Sequence, residues 1–292
     1  MTEKDEMMTR SLQGPQREKR AAVINDLSGF GRCSITVTLP ILSVMGVHTA
    51  CVPTAVLSTH TGNFTGYSFR DLTQDMRAFL THWQKEQLQF DALMSGYLGS
   101  FEQIEIVQEY FRAFGREDNL IFVDPVMGDD GSLYALYTQD MARGMRALCA
   151  HADVIVPNLT ESCILLGETY HEGVQSEQYL FSLCRGLKEL GARQVVITGA
   201  STREGRIGAA CLDESGFYMR SAQWIPASYC GTGDVFASVL LGALMQQRKL
   251  PDAVQLAADY TASCVQRSVL SQVPAREGVD FECDLWTLGK QA

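Results

Sequence analysis

The stretch Leu120-Ile-Phe-Val-Asp-Pro125 is a short apolar run that ends in an acidic residue and a proline. A continuously apolar run of this length is typical of a parallel β-strand that is covered on both faces. The run Val195-Val-Ile197, followed by Thr198-Gly199, repeats the pattern. Both runs predict strands inside an α/β sheet, with polar residues and glycines where the strands end.

Working outward from these two runs, β-rich segments alternate with segments of helical periodicity along the chain. The other predicted strands are 21–25, 51–57, 92–95, 153–156 and 207–212, and the predicted helices are 35–44, 72–83, 103–114, 139–149, 177–190, 234–247 and 252–269. This alternation predicts a doubly wound, mostly parallel central sheet with helices on both faces. Because such sheets bind ligands beyond the carboxyl ends of their strands, the residues after each strand are candidates for a site.

Composition narrows the class of protein. The 292 residues are 46% hydrophobic and contain no linker or repeat after about residue 20, so we predict a flexible tail over 1–20 and a single domain over 21–292. A net charge of −10 without a long basic cluster argues against nucleic acid or a membrane surface as a partner. The nine cysteines lack CxxC spacing and no apolar run reaches the ~20 residues that span a bilayer. We therefore expect a cytoplasmic protein with reduced thiols.

The segment Cys230-Gly-Thr-Gly-Asp234 precedes an apolar run and places a glycine turn at the start of a predicted helix. Glycines permit positive φ angles and let backbone amides approach an anion, which the helix dipole also favours. Asp234 would lie in the first helical turn, in a position to deprotonate an alcohol. The alternative is that the glycines form only a tight connection before a buried helix.

Two further strand ends carry side-chain oxygens. Asp124 follows the strand 120–123 and is suited to orienting a hydrated magnesium ion, or alternatively to capping its own loop. Asn158 and Glu161 stand three apart at a predicted strand-to-helix transition. Their spacing is compatible with two outer ligands of hydrated magnesium and also with a capping box, and both roles can hold together.

The segment Gly29-Phe-Gly-Arg-Cys-Ser34 nearly matches the dinucleotide-binding pattern G-x-G-x-x-G/A. Its third small position is Ser34, and the region near residue 50 lacks the acidic residue that would bind a ribose. A nicotinamide-dependent dehydrogenase is therefore a distant alternative. The chain also lacks G-x-x-x-x-G-K-[ST], which excludes P-loop kinases.

Four motifs taken together resemble the pyridoxal kinase branch of the ribokinase-like superfamily, and their order and spacing cover almost the whole chain from residue 21. These motifs are Ser95-Gly-Tyr-Leu-Gly-Ser100, Asp124-Pro-Val-Met-Gly128, Pro157-Asn158 with Glu161, and Gly231-Thr-Gly-Asp234. The stretches Asn25–Ser34 and Ser58–Gly62 resemble most the bacterial pyridoxamine kinases. The combination is specific, although no single motif is.

The resemblance implies a ribokinase-like fold and transfer of the ATP γ-phosphate to the 5′-hydroxyl of a B6 vitamer (pyridoxal, pyridoxamine or pyridoxine) in pyridoxal 5′-phosphate salvage. Asp234 would be the base, with the amides of Gly231, Thr232 and Gly233 as the anion hole. The other implied contacts are Asp26, Leu57, Thr61 and Tyr97 to the substrate, Asp124, Thr198 and Thr232 to ATP, and Asp124, Asn158 and Glu161 to Mg²⁺, mostly through water. The family also suggests a homodimer, and a monovalent cation is a further candidate cofactor.

Two positions depart from the family pattern. Asp26 stands where many pyridoxal kinases have serine, and Leu57 where they often have an aromatic residue. An Asp at the first position resembles the hydroxymethylpyrimidine kinases, but their glycine turn carries Cys in place of Asp234. The alternatives are a hydroxymethylpyrimidine kinase or bifunctional enzyme and, from another class, a non-catalytic B6-vitamer binding protein, which would have no need of Asp234.

Overall fold

The computed structural model describes residues 17–290. The strands are β1 (Lys19–Ser28), β2 (Val47–Leu57), β3 (Phe69–Asp71), β4 (Ala92–Ser95), β5 (Leu120–Val123), β6 (Gly128–Asp129), β7 (Ser132–Leu133), β8 (Val154–Ile155), β9 (Gln194–Ala200), β10 (Arg206–Leu212) and β11 (Phe217–Gln223). The helices are α1 (Ile35–Val44), α2 (Thr73–Lys85), α3 (Phe101–Phe114), α4 (Gln139–Cys149), α5 (Leu159–Leu166), α6 (Glu177–Glu189), α7 (Thr232–Met245), α8 (Leu250–Leu270) and α9 (Leu285–Gly289), with a 3₁₀ turn at Ala275–Glu277.

Nine strands form one sheet in the order β11-β10-β9-β8-β5-β4-β1-β2-β3. The six strands from β9 to β2 in this order are parallel to their neighbours, whereas β3, β10 and β11 pair antiparallel. Strands β6 and β7 form a separate small hairpin. The predicted fold class, a mostly parallel sheet in an α/β protein, is confirmed.

Helices cover both faces of the sheet and create two hydrophobic cores. Successive residues of β1 alternate between them, so that Ala21 and Val23 belong to one core and Ala22 and Ile24 to the other. All four residues are fully buried. A strand buried on both faces needs a continuous apolar sequence, because side chains alternate between the faces of a sheet.

The order of the strands changes direction at β1: β2 and β3 lie on one side of it, and β4 and the later strands of the sheet lie on the other. This strand pairs with β2 on one side and with β4 on the other. The crevice beyond the carboxyl ends of two such strands is where doubly wound sheets bind ligands. β1 runs through Asn25 and Asp26 to Ser28 with an irregularity between residues 25 and 27, so these polar residues lie within the strand instead of after it. The irregularity places them at the crevice.

The predicted strands and helices are all present, with shifts at their ends. The sequence patterns missed β3, β6, β7, β11 and α9, of which all but β11 have five residues or fewer, and they predicted the start of α5 near Asn158 without its end. β1 begins at Lys19, two residues before the predicted start of the domain, and the rest of the predicted tail lies mostly outside the described residues. No helix within residues 17–290 is both long enough and apolar enough to span a membrane.

Candidate active site

The glycine turn before α7 has a conformation suited to binding an anion. Gly231 is the N-cap residue, with a φ of 82°, which glycine adopts without steric cost. A Cβ atom at this position would overlap the carbonyl oxygen of Arg32. Because the first amides of a helix have no intrahelical partners, the N–H groups of Thr232 and Gly233 can meet an anion at the end of α7.

Asp234 is the third residue of α7 and lies half-buried beside this turn. The backbone amide of Ser34 and the side chain of Asn25 lie close to its carboxylate, and both lower its pKa. Burial, which is the largest effect, and the nearby Asp26 outweigh them and raise the pKa of Asp234 to about 7. A carboxylate with this pKa is well matched to accepting a proton near neutral pH.

Asn25 joins three parts of the site. Its Oδ1 atom accepts the backbone N–H of Asp26 at 3.0 Å and that of Tyr97 at 2.9 Å, and its amide group interacts with Asp234. The side chain is buried, with only 1% exposed. A Cβ atom at Gly96 would overlap it, so this position requires glycine. One amide side chain therefore connects β1, the loop after β4 and the start of α7.

Asp26 and Tyr97, two of the predicted substrate contacts, lie near each other. Asp26 is buried and accepts hydrogen bonds from the hydroxyls of Ser28, at 3.2 Å, and Ser34. Burial raises the pKa of Asp26, and the two hydroxyls counteract this. Tyr97 is half-buried, feels the charge of Asp26, and makes an edge-to-face contact with Tyr137 at 6.3 Å between ring centroids. A carboxylate and an aromatic ring thus border the crevice.

Leu57 and Thr61 lie at the end of β2 and in the loop that follows. Leu57 is buried and pairs with Ser28 of β1, which places it beside Asp26. Thr61 is exposed, and no hydrogen bond or ring contact within the part of the chain that the structure describes joins it to the other predicted substrate contacts. The structure therefore places Leu57 at the end of β2 and Thr61 in the exposed loop that follows, and their contact with a substrate stays a prediction.

The loop after β2 covers Cys230. Nε2 of His60 lies 2.7 Å from the carbonyl oxygen of Arg276, and Nδ1 accepts the N–H of Gly62 at 3.0 Å, so the ring is held in one orientation. A Cβ atom at Gly62 would lie 2.8 Å from the Sγ atom of Cys230. Burial and Asp234 raise the pKa of the Cys230 thiol. It therefore stays protonated near neutral pH and is not an activated nucleophile.

Asn158 and Glu161 form a capping box at the start of α5. The Oδ1 atom of Asn158 accepts the N–H of Glu161 at 2.8 Å, and Glu161 accepts the N–H of Asn158 at 2.8 Å and that of Met127 at 3.0 Å. The Nδ2 group of Asn158 donates to the carbonyl of Gly128 at 2.8 Å. Burial raises the pKa of Glu161 to about 8, although these backbone hydrogen bonds lower it. The capping role is thus present, and it fixes the loop that follows Asp124.

Asp124 follows β5 and is buried. Burial, Glu161 and Asp234 raise its pKa well above the ordinary value. No hydrogen bond among residues 17–290 reaches its carboxylate. Over the same residues, no three His, Cys, Asp or Glu side chains are grouped closely enough to hold a metal ion directly. The predicted magnesium ligands therefore stay a prediction.

Thr198 lies next to this acidic group. It forms a parallel bridge with Asn158, and its N–H donates to the carbonyl of Pro157 at 2.9 Å. A cavity of about 520 Å³ opens where β9 ends, and Ala200, Arg203 and Arg206 are among the residues that line it. Thr198 and the cavity therefore lie at the same edge of the sheet as Asp124.

The sequence motifs gave no role to two residues that contact Asp234. Asn25 stood directly before Asp26, and Ser34 was the third small position of the near-dinucleotide pattern. The spacing of this pattern was the only signal for Ser34, since its contact with residue 234 depends on the packing of α1 against α7.

The family model for phosphomethylpyrimidine kinase matches residues 35–275, most of the chain. The chain belongs to this family. Its predicted relationship to the pyridoxal kinases rests on three further similarities.

The kinase resembles a protein from Bacteroides thetaiotaomicron that is provisionally assigned as a phosphomethylpyrimidine kinase, with 39% identity, a TM-score of 0.90, and 94% of the kinase and 96% of that chain covered. The Bacteroides protein has also been solved with pyridoxal. The pyridoxal kinase from Lactobacillus plantarum is 32% identical, with a TM-score of 0.86 and 94% and 97% covered. The pyridoxine/pyridoxal/pyridoxamine kinase from Bordetella avium is 28% identical over 278 residues, 88% of the kinase and 90% of that protein. The expected relationship to pyridoxal kinases is confirmed.

Proposed function

We propose that this kinase transfers the γ-phosphate of ATP to the 5′-hydroxyl of B6 vitamers, with pyridoxal, pyridoxamine and pyridoxine as substrates. The observation that carries the proposal is the position of Asp234, at the start of α7 beside the Gly231 turn, with a pKa of about 7. Pyridoxal bound to the Bacteroides protein supports the choice of substrate class. A protein that only bound the vitamer would gain nothing from a basic carboxylate at an anion-binding turn.

In the proposed reaction, Asp234 accepts the proton of the substrate alcohol while the phosphoryl group moves through a loose transition state. The amides of Gly231, Thr232 and Gly233 face the negative charge of that group. Positioning and charge stabilisation then supply most of the rate enhancement. We propose that Asp26, Leu57, Thr61 and Tyr97 border the ring, and the electrostatic interaction between Asp26 and Tyr97 supports this part of the proposal.

Magnesium is the cofactor that the acidic group fits best. Burial and the charges of Glu161 and Asp234 raise the pKa of Asp124, and a divalent cation would offset this repulsion. The single side-chain oxygen of Asn158 and both oxygens of Glu161 already bind backbone amides. We therefore propose Asp124 as the main metal-binding carboxylate, with Asn158 and Glu161 acting through water. When bound, Mg²⁺ would screen the ATP phosphates, which Thr198 and Thr232 also contact in this proposal.

A second candidate is the phosphorylation of hydroxymethylpyrimidine, alone or together with the B6 activity. The description of the matching family favours it, and so does the carboxylate of Asp26 at the ring position. Both substrates are flat heteroaromatic alcohols, so the reaction and the roles of Asp234 and the glycine turn would be the same.

The deciding experiment is ADP release measured in parallel with pyridoxal, pyridoxamine, pyridoxine and hydroxymethylpyrimidine. We expect turnover with the three vitamers and weaker turnover with the pyrimidine. Turnover with the pyrimidine alone would replace the first candidate with the second. Turnover with none, in the presence of Mg²⁺ and either K⁺ or Na⁺, would contradict both, and the K⁺/Na⁺ pair also tests the monovalent cation.

We also propose a cytoplasmic homodimer, in line with the family resemblance. Light scattering of the purified kinase tests the oligomeric state, and fractionation of cells that produce it tests the location. A monomer at micromolar concentration would contradict the first proposal, and recovery with membranes would contradict the second.

A further inference from the structure

Ser34 begins α1 in a backbone conformation that is unusual for serine. Its φ is 53° and its ψ is −132°, in a region where residues other than glycine are strained. Serine at this N-cap position normally accepts a hydrogen bond from an amide in the first helical turn. The hydroxyl of Ser34 makes no such bond. Helix capping therefore does not explain why serine occupies this position.

All three polar groups of Ser34 are used, and two of them reach carboxylates. Its hydroxyl donates to Oδ1 of Asp26, and its backbone N–H is close enough to the carboxylate of Asp234 to lower its pKa. Its carbonyl accepts the backbone N–H of Thr38 at 3.0 Å and the Thr38 hydroxyl at 3.1 Å. The residue is buried, with 7% exposed. A single residue thus holds a carboxylate on β1 and a carboxylate on α7.

The frame around Ser34 is fixed by a second contact between the same two helices. The Oγ atom of Ser238, one turn after Asp234, lies 3.0 Å from the Oγ1 atom of Thr38. Ser238 and Thr38 are both fully buried. This contact joins α1 and α7 one helical turn from Ser34 and Asp234, so it supports the separation of these two residues.

We propose that Ser34 is a positioning residue that sets the separation of Asp26 from Asp234, holding the first through its hydroxyl and the second through its backbone amide. The proposal rests on the roles given to these two carboxylates under the proposed function. In a B6 vitamer, the 4′ substituent is on the ring carbon next to the one that carries the 5′-hydroxymethyl group. A fixed Asp26 would therefore orient the ring while the alcohol faces Asp234.

This role predicts different effects of a Ser34 substitution on the KM values of the two substrates, the vitamer and ATP. Ser34→Ala removes the hydroxyl but keeps the backbone amide, so Asp26 loses a donor while Asp234 keeps its own. We expect the KM for the vitamer to rise about tenfold, the loss typical of one hydrogen bond to a charged group. The KM for ATP should stay within about twofold of the wild type, because Ser34 does not contact the proposed ATP residues.

Ser34→Gly distinguishes a positioning role of the Ser34 hydroxyl from a simple requirement for the unusual backbone conformation at this residue. Glycine relieves the strain at a φ of 53° but also lacks the hydroxyl. If the residue only has to adopt an unusual conformation, Ser34→Gly will behave like the wild type. If the hydroxyl positions Asp26, the variant will show the same rise in vitamer KM as Ser34→Ala.

The matched control is Ser268→Ala. Ser268 is a fully buried serine of α8 whose hydroxyl donates to the carbonyl of Cys264 at 2.8 Å and accepts the N–H of Asp280 at 2.7 Å. Its loss should lower the melting temperature without changing either KM. Vitamer KM values within about twofold of the wild type in Ser34→Ala, or full recovery in Ser34→Gly, would overturn the proposal.

Pyridoxal titration by absorbance gives a second readout that needs no turnover. A rise of about tenfold in the Kd of Ser34→Ala is expected, and an unchanged Kd counts against the proposal. If the wild type phosphorylates only hydroxymethylpyrimidine, the same KM comparison is made with that substrate. A failure of the vitamer assignment is then distinguishable from a failure of the role of Ser34.

Discussion

Asp234 and Glu161 occupy the same position in two helices but have different surroundings. Each is the third residue of its helix, α7 or α5, and burial raises the pKa of Asp234 to about 7 and that of Glu161 to about 8. The N-cap of α5 is Asn158, which exchanges hydrogen bonds with Glu161. The N-cap of α7 is Gly231, which has no side chain to do so.

The N-cap residue therefore determines what the carboxylate binds. In α5 the box is closed, and the carboxylate oxygens of Glu161 accept backbone amides of its own helix end and of the preceding loop. In α7 the carboxylate of Asp234 turns to the amide of Ser34 and the side chain of Asn25, which belong to other elements. The first amides of α7 stay open to an anion. A closed capping box stabilises the fold, and an open helix end provides a site.

The largest effect expected from changing either carboxylate is the loss of phosphorylation rate in Asp234→Asn. We expect the rate of phosphorylation to fall by about 10²–10⁴-fold, the range for loss of a general base, with ATP affinity changed by no more than a few-fold. The melting temperature should not fall, because a neutral amide replaces a partly buried charge. ADP release and ATP-binding isotherms measure the two effects. Turnover near that of the wild type would remove Asp234 as the base.

Glu161→Ala should affect stability and the magnesium requirement together. The change leaves the amides of Asn158 and Met127 without their acceptor, which costs about 1–3 kcal/mol of unfolding free energy. It should also raise the Mg²⁺ concentration for half-maximal activity, as should Asn158→Ala. Thr138→Ala, which removes the N-cap of α4, is the matched control: it should lose about 1 kcal/mol with no change in the Mg²⁺ titration. An unchanged Mg²⁺ titration in the α5 variants would leave those residues with only a capping role.

The raised pKa of Glu161 should make stability depend on pH. The pKa is about 8 in the folded chain and 4.5 ordinarily, so between these values the unfolded chain binds fewer protons than the folded chain. The free energy of unfolding without Mg²⁺ should therefore fall as pH rises through this window. Glu161→Gln, which keeps an oxygen acceptor, should flatten the decline. Urea unfolding at about pH 5 and about pH 8 measures the decline in the free energy of unfolding. An equal decline in the wild type and in Glu161→Gln would contradict the assignment.

The smallest expected effect is that of Asp26→Asn on the pKa of Asp234. Asp26 is a like charge that raises the pKa of Asp234, so its removal should move the acidic limb of the kcat profile to lower pH by less than about one unit. Saturating vitamer separates this shift from weaker binding. Asp71→Asn removes another carboxylate that interacts electrostatically with Tyr97 and should leave the limb in place. A limb that stays in place in Asp26→Asn as well would show that the charges are screened from each other.

The fold was largely predictable because its determinants are local. The parallel strand β5 and residues 195–197 of β9 are continuously apolar, and α1 and α4 were predicted with the same bounds as those observed. The strand β11 was missed because its sequence has little apolar alternation, and its residues are mostly half-buried at an edge of the sheet. The two strands of the β6–β7 hairpin have only two residues each, which is too short for an alternating sequence pattern to be recognised.

The site was predictable only where a motif carries it. The glycine turn, Asp234, and the Asn158–Glu161 pair were identified from their spacing, and the capping alternative for that pair is observed. The contacts of Asn25 and Ser34 with Asp234 could not be predicted, because they join residues about 200 positions apart through the packing of α1 on α7. The roles of the remaining residues in binding ligands stay predictions.

The close approach of Gly231 to the carbonyl of Arg32 has a consequence for how the kinase is made in the cell. One wall of the proposed site is translated near the start of the chain and the other nearly 200 residues later. A ribosome-bound chain that ends before α7 has the sheet up to β11 but no anion hole. The proposed site can therefore be complete only after the last fifth of the chain has begun to emerge.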